Sequence, residues 1–122
     1  MTKEEKQLLL IDLCGRLPYY TELYSNVADD NWAILTPVVI SNLMSATDKL
    51  VIKPYLRSMS SMTEEEENEY CGFSMKADFI YTGLPYDTPN INVVDWLNAH
   101  HFDFRNLIEK GLAIDCTNLD IY

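Results

Sequence analysis

Glycine, cysteine and basic residues are all scarce in this sequence of 122 residues. With only 4 glycines, a phosphate-cradling loop is not expected, and no P-loop, GxGxxG or GxSxG pattern occurs. The 3 cysteines are odd in number and lack the spacing of a metal site, which predicts reduced thiols in a cytoplasmic protein. The run LLLIDLC is too short for a secretory signal, and Asp12 interrupts it. No segment approaches the roughly 20 apolar residues of a membrane span.

The charge balance is strongly acidic, with 9 Lys and Arg against 19 Asp and Glu, and a net charge of −10. Such a surface repels nucleic acid and anionic lipid at long range and favours basic partners. It also leaves open mimicry of a nucleic-acid backbone. Hydrophobic residues make up 48% of the chain, so residues 1–122 are expected to form a single domain with its own core.

Local signals predict a helix at the start of the chain. Thr2 and Glu5 have the spacing of a capping box, and apolar residues continue to Leu13. Gly15 is well placed to end this helix in a left-handed conformation.

Several β-rich segments follow, and consecutive strands favour an antiparallel meander. They lie at Leu17–Val27, Trp32–Ser41, Lys49–Arg57 and, as a fourth strand, around Phe79 and Tyr81. Pro37 and Pro54 predict bulges, edges or breaks, because proline has no N–H group for the ladder. The expected fold is therefore α+β: an N-terminal helix on an antiparallel sheet of three to five strands, with a small-barrel-like closure as an alternative.

The C-terminal third predicts two short helices with a sharp joint between them. They span Val93–His101 and Phe104–Lys110, with Asn92 and Asp103 as their N-caps. Gly111 is placed for a Schellman ending. Residues 83–90 are expected to form a loop, and residues 113–121 an edge strand or a loose end.

Strand alternation between Lys49 and Arg57 provides the candidate site. It places four residues on one face that could contact a ligand or partner: Lys49, Lys53, Tyr55 and Arg57. Interleaved tyrosine and basic residues suit base stacking and phosphate pairing. An acidic helix follows, capped by Ser61 or Thr63 and carrying glutamates within residues 64–69, which could fold back and neutralise this face. Lysines on an edge strand also serve simply to prevent aggregation.

His100 and His101 are the only cluster that suggests chemistry. On a helix they point about 100° apart, so they are poorly placed to bind one metal ion. We expect one histidine to pack on Trp96 and the other to lie near Asp103. The sequence therefore predicts neither a metal, a cofactor nor an enzyme.

The expected core combines the apolar positions of these elements. It consists of Leu9, Leu13, Leu23, Ile34, Leu35, Val39, Leu50, Ile52, Leu56, Phe79, Trp96, Leu97, Phe102, Leu107 and Ile108.

Three blocks of the chain resemble a group of small uncharacterised proteins from gut Bacteroidetes and their prophages. The blocks are MTKEEKQLLLIDLCGRLPY, KPYLRSMSSMTEEE and DWLNAHHFDFRNLIEKGLA. The resemblance implies a shared fold and a phage or mobile-element setting, without any known activity or cofactor. Together with the acidic surface and the eight tyrosines, it favours a non-enzymatic protein that acts through protein contacts. The alternatives are a nucleic-acid-binding module on the basic strand face and an acidic decoy of a DNA-binding host protein.

Overall fold

The predicted α+β class and the N-terminal helix are both confirmed. A computed structural model describes residues 2–45, 49–70, 88–119 and 121–122. These residues form four α-helices and a four-stranded mixed sheet. In chain order the elements are α1 (Lys3–Arg16), β1 (Glu22–Ser25), β2 (Trp32–Ile34), α2 (Pro37–Ser45), β3 (Ile52–Leu56), α3 (64–70), α4 (Thr88–Ala99) and β4 (Ile114–Asp115).

Helix α1 begins at the predicted capping box but does not end at the predicted residue. The Thr2 N–H donates to Glu5 Oε1 at 2.8 Å, and the Glu5 N–H donates to Thr2 Oγ1 at 3.1 Å. Gly15 lies inside the helix, which continues to Arg16, so the expected left-handed ending there is wrong. The small residue has a packing role instead, since a Cβ atom on Gly15 would lie 3.1 Å from Asn98 Nδ2.

The strand order is β2-β1-β3-β4, which corrects the predicted antiparallel meander. β1 pairs antiparallel with both β2 and β3, whereas β3 and β4 are parallel. Helix α2 lies between β2 and β3 in the chain, and this connection carries β3 to the other side of β1. Among the described strands the sheet is open, with β2 and β4 at its edges, rather than a small barrel.

The segment Trp32–Ser41 is not one strand, contrary to its β-rich composition. β2 ends at Ile34 and α2 begins at Pro37. Proline suits the first helical position because its missing N–H would have no helical acceptor there. The Val39 N–H donates to Thr36 Oγ1 at 3.4 Å, so Thr36 caps the helix.

Strand β3 shows the expected alternation but lies inside the sheet. Ile52, Pro54 and Leu56 are buried, whereas Lys53 and Tyr55 are half-buried. An edge position for Pro54 is therefore wrong. The strand register explains why proline is tolerated. The Asn26 N–H donates to the Val51 carbonyl, so Asn26 and Val51 form a hydrogen-bonded pair. Hydrogen-bonded and non-hydrogen-bonded pairs alternate along antiparallel strands, so Leu23 and Pro54 form a non-hydrogen-bonded pair. No N–H is needed from Pro54 toward β1.

The C-terminal region is less helical than expected. α4 begins at Thr88, so Asn92 lies within the helix rather than at its N-cap, and residues 88–90 are not loop. The predicted helix Phe104–Lys110 is a series of turns, because Asn106 adopts a left-handed φ of 58°.

The predicted Schellman ending at Gly111 does form. Gly111 has φ 75°, its N–H donates to the Ile108 carbonyl at 3.0 Å, and the Leu112 N–H donates to the Leu107 carbonyl at 2.8 Å. The Asp103 carboxylate accepts from the N–H groups of Leu107 and Ile108 at 2.8 and 3.0 Å. Local hydrogen bonds therefore hold the turns in place of a helix. Beyond them, β4 is the predicted edge strand.

Most of the expected core is buried. The buried members are Leu9, Leu13, Leu23, Leu35, Ile52, Leu56, Leu97, Phe102 and Leu107. Ile34, Val39, Leu50, Trp96 and Ile108 are half-buried. Phe79, with the predicted fourth strand and most of the 83–90 loop, lies outside the described residues. The core also contains Leu43, Leu112, Ala113 and Cys116, which were not expected.

Candidate functional site

The four residues of the predicted basic face do not form one continuous stripe. Lys49 is exposed in a turn before β3, and its carbonyl accepts a hydrogen bond from the Asn26 side chain at 2.7 Å. Lys53 and Tyr55 lie on the half-buried face of β3 as predicted. Arg57 follows the strand and is held by other groups.

Arg57 pairs with Glu66, one of the glutamates expected to fold back. The guanidinium donates to both carboxylate oxygens, at 2.8 and 2.7 Å, and lies 4.3 Å from the centre of the Phe102 ring. The hydrogen bonds from Arg57 lower the pKa of Glu66 from 4.5 to about 2, and the same contact raises the pKa of Arg57. The positive charge of Arg57 is thus largely offset within the fold.

Glu66 is positioned by a second capping box at the start of α3. The Thr63 N–H donates to Glu66 Oε1 at 3.0 Å, and the Glu66 N–H donates to Thr63 Oγ1 at 3.1 Å. Thr63, not Ser61, is therefore the N-cap. Glu64, Glu65 and Glu67 remain exposed.

A polar cavity of about 480 Å³ opens beside this pair. Its lining comprises Arg57, Thr63, Glu65, Glu66, Cys116, Thr117, Leu119 and Tyr122. The lining carries two carboxylates against one guanidinium that is already bound, so it offers no free cation to a phosphate group. Burial raises the pKa of the Cys116 thiol to about 11, which disfavours the reactive thiolate at neutral pH.

Tyr122 links two strands at the edge of this cavity. Its hydroxyl accepts from the Glu22 N–H at 2.8 Å and donates to the Tyr55 carbonyl at 2.9 Å. The β1–β3 register places Glu22 opposite Tyr55. In a regular ladder the Glu22 N–H would donate directly to the Tyr55 carbonyl, and here the Tyr122 hydroxyl bridges these two groups. Burial raises the pKa of this phenol, which keeps the donor in place.

The two histidines have separate surroundings. His100 packs on Trp96 with ring centroids 4.3 Å apart, as predicted, and its Nδ1 lies 3.4 Å from Glu66 Oε2. His101 stacks on Tyr122 at 3.6 Å, so its expected partnership with Asp103 is wrong. Burial, with the nearby charge of Arg16, lowers the pKa of His101 to about 4. Across the described ranges, His, Cys, Asp and Glu form no group suited to hold a metal ion.

The structure shows a buried ionic network around Asp12 that was not predicted from the sequence. Asp12 and Arg16 are fully buried and paired at 2.7 Å, and Arg105 donates to the same carboxylate at 2.8 Å. Arg16 also donates to the Phe102 carbonyl at 2.6 Å. The i, i+4 spacing of Asp12 and Arg16 on α1 is the signal that could have revealed the pair. Arg57 also covers the Phe102 ring. Arg16, Arg57 and Phe102 each belong to a different one of the three blocks that carry the resemblance, so the three blocks meet at Phe102.

An apolar surface on α2 was also missed. The helix sequence PVVISNLMS contains no charged residue, yet Leu43 is its only buried side chain. Val38 and Met44 are 66% and 65% exposed, and Val39 and Ile40 are half-buried. An apolar helix with so little burial is unusual, because such helices normally bury most of their surface.

Tyr20 is a further exposed aromatic residue, just before β1. The Leu35 N–H donates to the Thr21 carbonyl at 2.9 Å, so the pairing of β1 with the segment before α2 extends to Thr21. Tyr20 is exposed and has a left-handed φ of 54°, a conformation that is rare for a bulky residue. We call Val38 and Met44, the two largely exposed apolar residues of helix α2, the α2 surface.

Comparison with protein-family models found no match, and searches of curated proteins and of solved structures found none either. The resemblance to Bacteroidetes and prophage proteins thus stays a prediction. In the portion of the chain that the structure describes, every helix is too short or too polar to cross a membrane.

Proposed function

We propose that this chain is a non-enzymatic interaction protein that binds another protein through the α2 surface. The observation that carries the proposal is the charge-free helix α2, which leaves Val38 and Met44 largely exposed. Exposed apolar side chains on one element are typical of protein interfaces, and Met is enriched there. The phage or mobile-element setting implied by the resemblance is compatible with such a role.

The charge of the chain defines the chemistry of the partner. At a net charge of −10, long-range attraction favours a basic protein. Because α2 itself carries no charge, the matching surface would be an apolar patch bordered by Lys and Arg. Apolar contact then contributes affinity, and the flanking charges accelerate association. Lys53 and Tyr55, half-buried on β3, are proposed as secondary contacts.

The nucleic-acid alternative has weaker support. Of its four proposed residues, Arg57 is bound by Glu66, and Lys49 lies away from the strand. Lys53 and Tyr55 remain, in a chain whose net charge repels phosphate. The decoy alternative retains Glu64, Glu65 and Glu67 as exposed acids, but not Glu66.

Crosslinking with a matched pair of substitutions tests the proposal. A photoreactive benzophenone amino acid at position 44 would be activated in lysate of the organism that carries the gene, once without nuclease and once after nuclease treatment. The same capture is repeated with Val38→Glu and, as its control, Val27→Glu. Val27 is 74% exposed and lies outside α2, so both variants add one negative charge at an exposed valine. Circular dichroism of both variants would be used to check that they remain folded.

The expected result is one captured protein with a basic surface, lost in Val38→Glu and retained in Val27→Glu. Equal capture by both variants would overturn the proposed surface. Capture that disappears after nuclease treatment, and weakens in Lys53→Glu, would instead support nucleic-acid binding.

A further inference from the structure

A second cavity lies between the first turn of α1, the start of β3 and the turn at Gly111. It has a volume of about 280 Å³ and is lined by Glu5, Val51, Ile52, Lys53, Lys110, Gly111 and Leu112. This volume is close to the lower end of the range for ligand clefts, which is about 300–1,000 Å³. The cavity is separate from both the α2 surface and the Arg57–Glu66 pair.

The lining of this cavity combines two positively charged lysines with three apolar residues. The apolar wall comes from Val51, Ile52 and Leu112. Within the described ranges neither Lys53 nor Lys110 forms an ion pair, unlike Arg16, Arg57 and Arg105. Lysine stems commonly lie along apolar surface while the ammonium group stays at the rim.

Glu5 is the one acidic group in the lining, and it is already engaged. Its carboxylate accepts from the Thr2 N–H at 2.8 Å, and the contacts with Thr2 lower the pKa of Glu5. It therefore remains ionised as a helix cap. The lining carries one net positive charge on a chain whose net charge is −10.

We propose that this cavity binds a small organic carboxylate with a compact apolar body. The apolar body would contact Val51, Ile52 and Leu112, while the carboxylate lies between Lys53 and Lys110. A fully hydrated anion would gain little from the apolar wall, and the volume excludes a polymer other than at a chain end. Charge and apolar contact together select this class of ligand. The inference does not depend on the α2 surface, although Lys53 is also one of the secondary contacts proposed for the protein partner.

A titration followed by amide NMR tests the site, with benzoate as the probe. Benzylamine and benzyl alcohol serve as ring-matched probes of opposite and zero charge. The protein is used as the wild type, as Lys53→Gln/Lys110→Gln, and as Lys3→Gln/Lys49→Gln. The last variant removes the same charge from exposed lysines outside the cavity.

Benzoate is expected to shift the amide signals of residues 51–53 and 110–112 in a saturable manner. Lys53→Gln/Lys110→Gln should raise the dissociation constant for benzoate by about tenfold, whereas the control variant should change it by less than about twofold. Benzylamine should leave these signals in place, and benzyl alcohol should bind more weakly than benzoate.

Three results would overturn the proposal. One is the absence of saturable benzoate shifts at millimolar concentration. Another is equal binding of benzylamine. The last is equal loss of affinity in both lysine variants, which would show a general charge effect rather than a site at this cavity.

Discussion

Replacing Glu66 with glutamine tests whether the Arg57–Glu66 pair stabilises the fold. Glutamine retains an oxygen that can accept from the Thr63 N–H, so the capping box is preserved. The negative charge and one of the two strong contacts with Arg57 are lost. Glu65→Gln is the matched control, because Glu65 is the neighbouring residue and is exposed.

The expected loss of stability follows from the geometry. Glu66 and Arg57 are 15% and 23% exposed, so solvent screens the pair only in part. The displacement of the Glu66 pKa from 4.5 to about 2, at about 1.4 kcal/mol for each pKa unit, corresponds to about 3 kcal/mol. A hydrogen bond to a charged group typically contributes about 1.5–3 kcal/mol. We expect Glu66→Gln to lower the free energy of unfolding by about 2–3 kcal/mol, and Glu65→Gln by less than about 0.5 kcal/mol.

Urea unfolding followed by tryptophan fluorescence measures this difference. The urea midpoint of Glu66→Gln should fall by about 1 M or more. Because the pKa of Glu66 is lower in the folded state than in the unfolded state, its stabilisation is complete above about pH 4.5. It is lost as the pH falls through about 2. The stability difference from wild type should therefore shrink over that interval. Equal midpoints for the two variants, or a difference unchanged down to pH 2, would refute the reasoning.

Two further substitutions test other polar contacts of the fold by the same unfolding measurement. Asp12→Ala leaves the buried guanidinium of Arg16 without its carboxylate and should cost about 3–5 kcal/mol. Adding Arg16→Met should recover part of that loss, and strictly additive losses would contradict the ion-pair account. Tyr122→Phe removes the bridge between β1 and β3, which should cost about 1–2 kcal/mol and accelerate hydrogen exchange of the Glu22 amide. Tyr24→Phe, on the half-buried face of β1, is its control, and equal effects would refute the bridging role.

The sequence predicted the contacts that form between residues close along the chain. The capping box at Thr2, the alternation of β3 and the ending at Gly111 each depend on residues no more than a few positions apart, and so does the N-cap of α3, for which the sequence offered Ser61 or Thr63. Their geometry is therefore nearly independent of the rest of the fold. The alternation correctly placed Lys53 and Tyr55 on the less buried face of β3.

The errors fall where one local pattern allows two structures. The segment after Ile34 is short, apolar and rich in β-branched residues, which periodicity alone cannot assign to strand or helix. Thr36 as the N-cap and Pro37 at the first helical position favour a helix over a strand in this segment. At Phe104–Lys110, a left-handed Asn106 and the carboxylate of Asp103 replace helical bonds with turn bonds.

The sequence by itself determined the α+β class, the N-terminal helix, most of the core and the acidic character of the surface. Tertiary structure decided the strand order, the exposure of α2 and the loss of the basic face, because Arg57 meets Glu66 only when α3 folds beside β3. The contact of Arg105 with Asp12 likewise joins residues 93 positions apart. Such pairings depend on the path of the whole chain through the fold, whereas capping and alternation depend only on backbone geometry over a few residues.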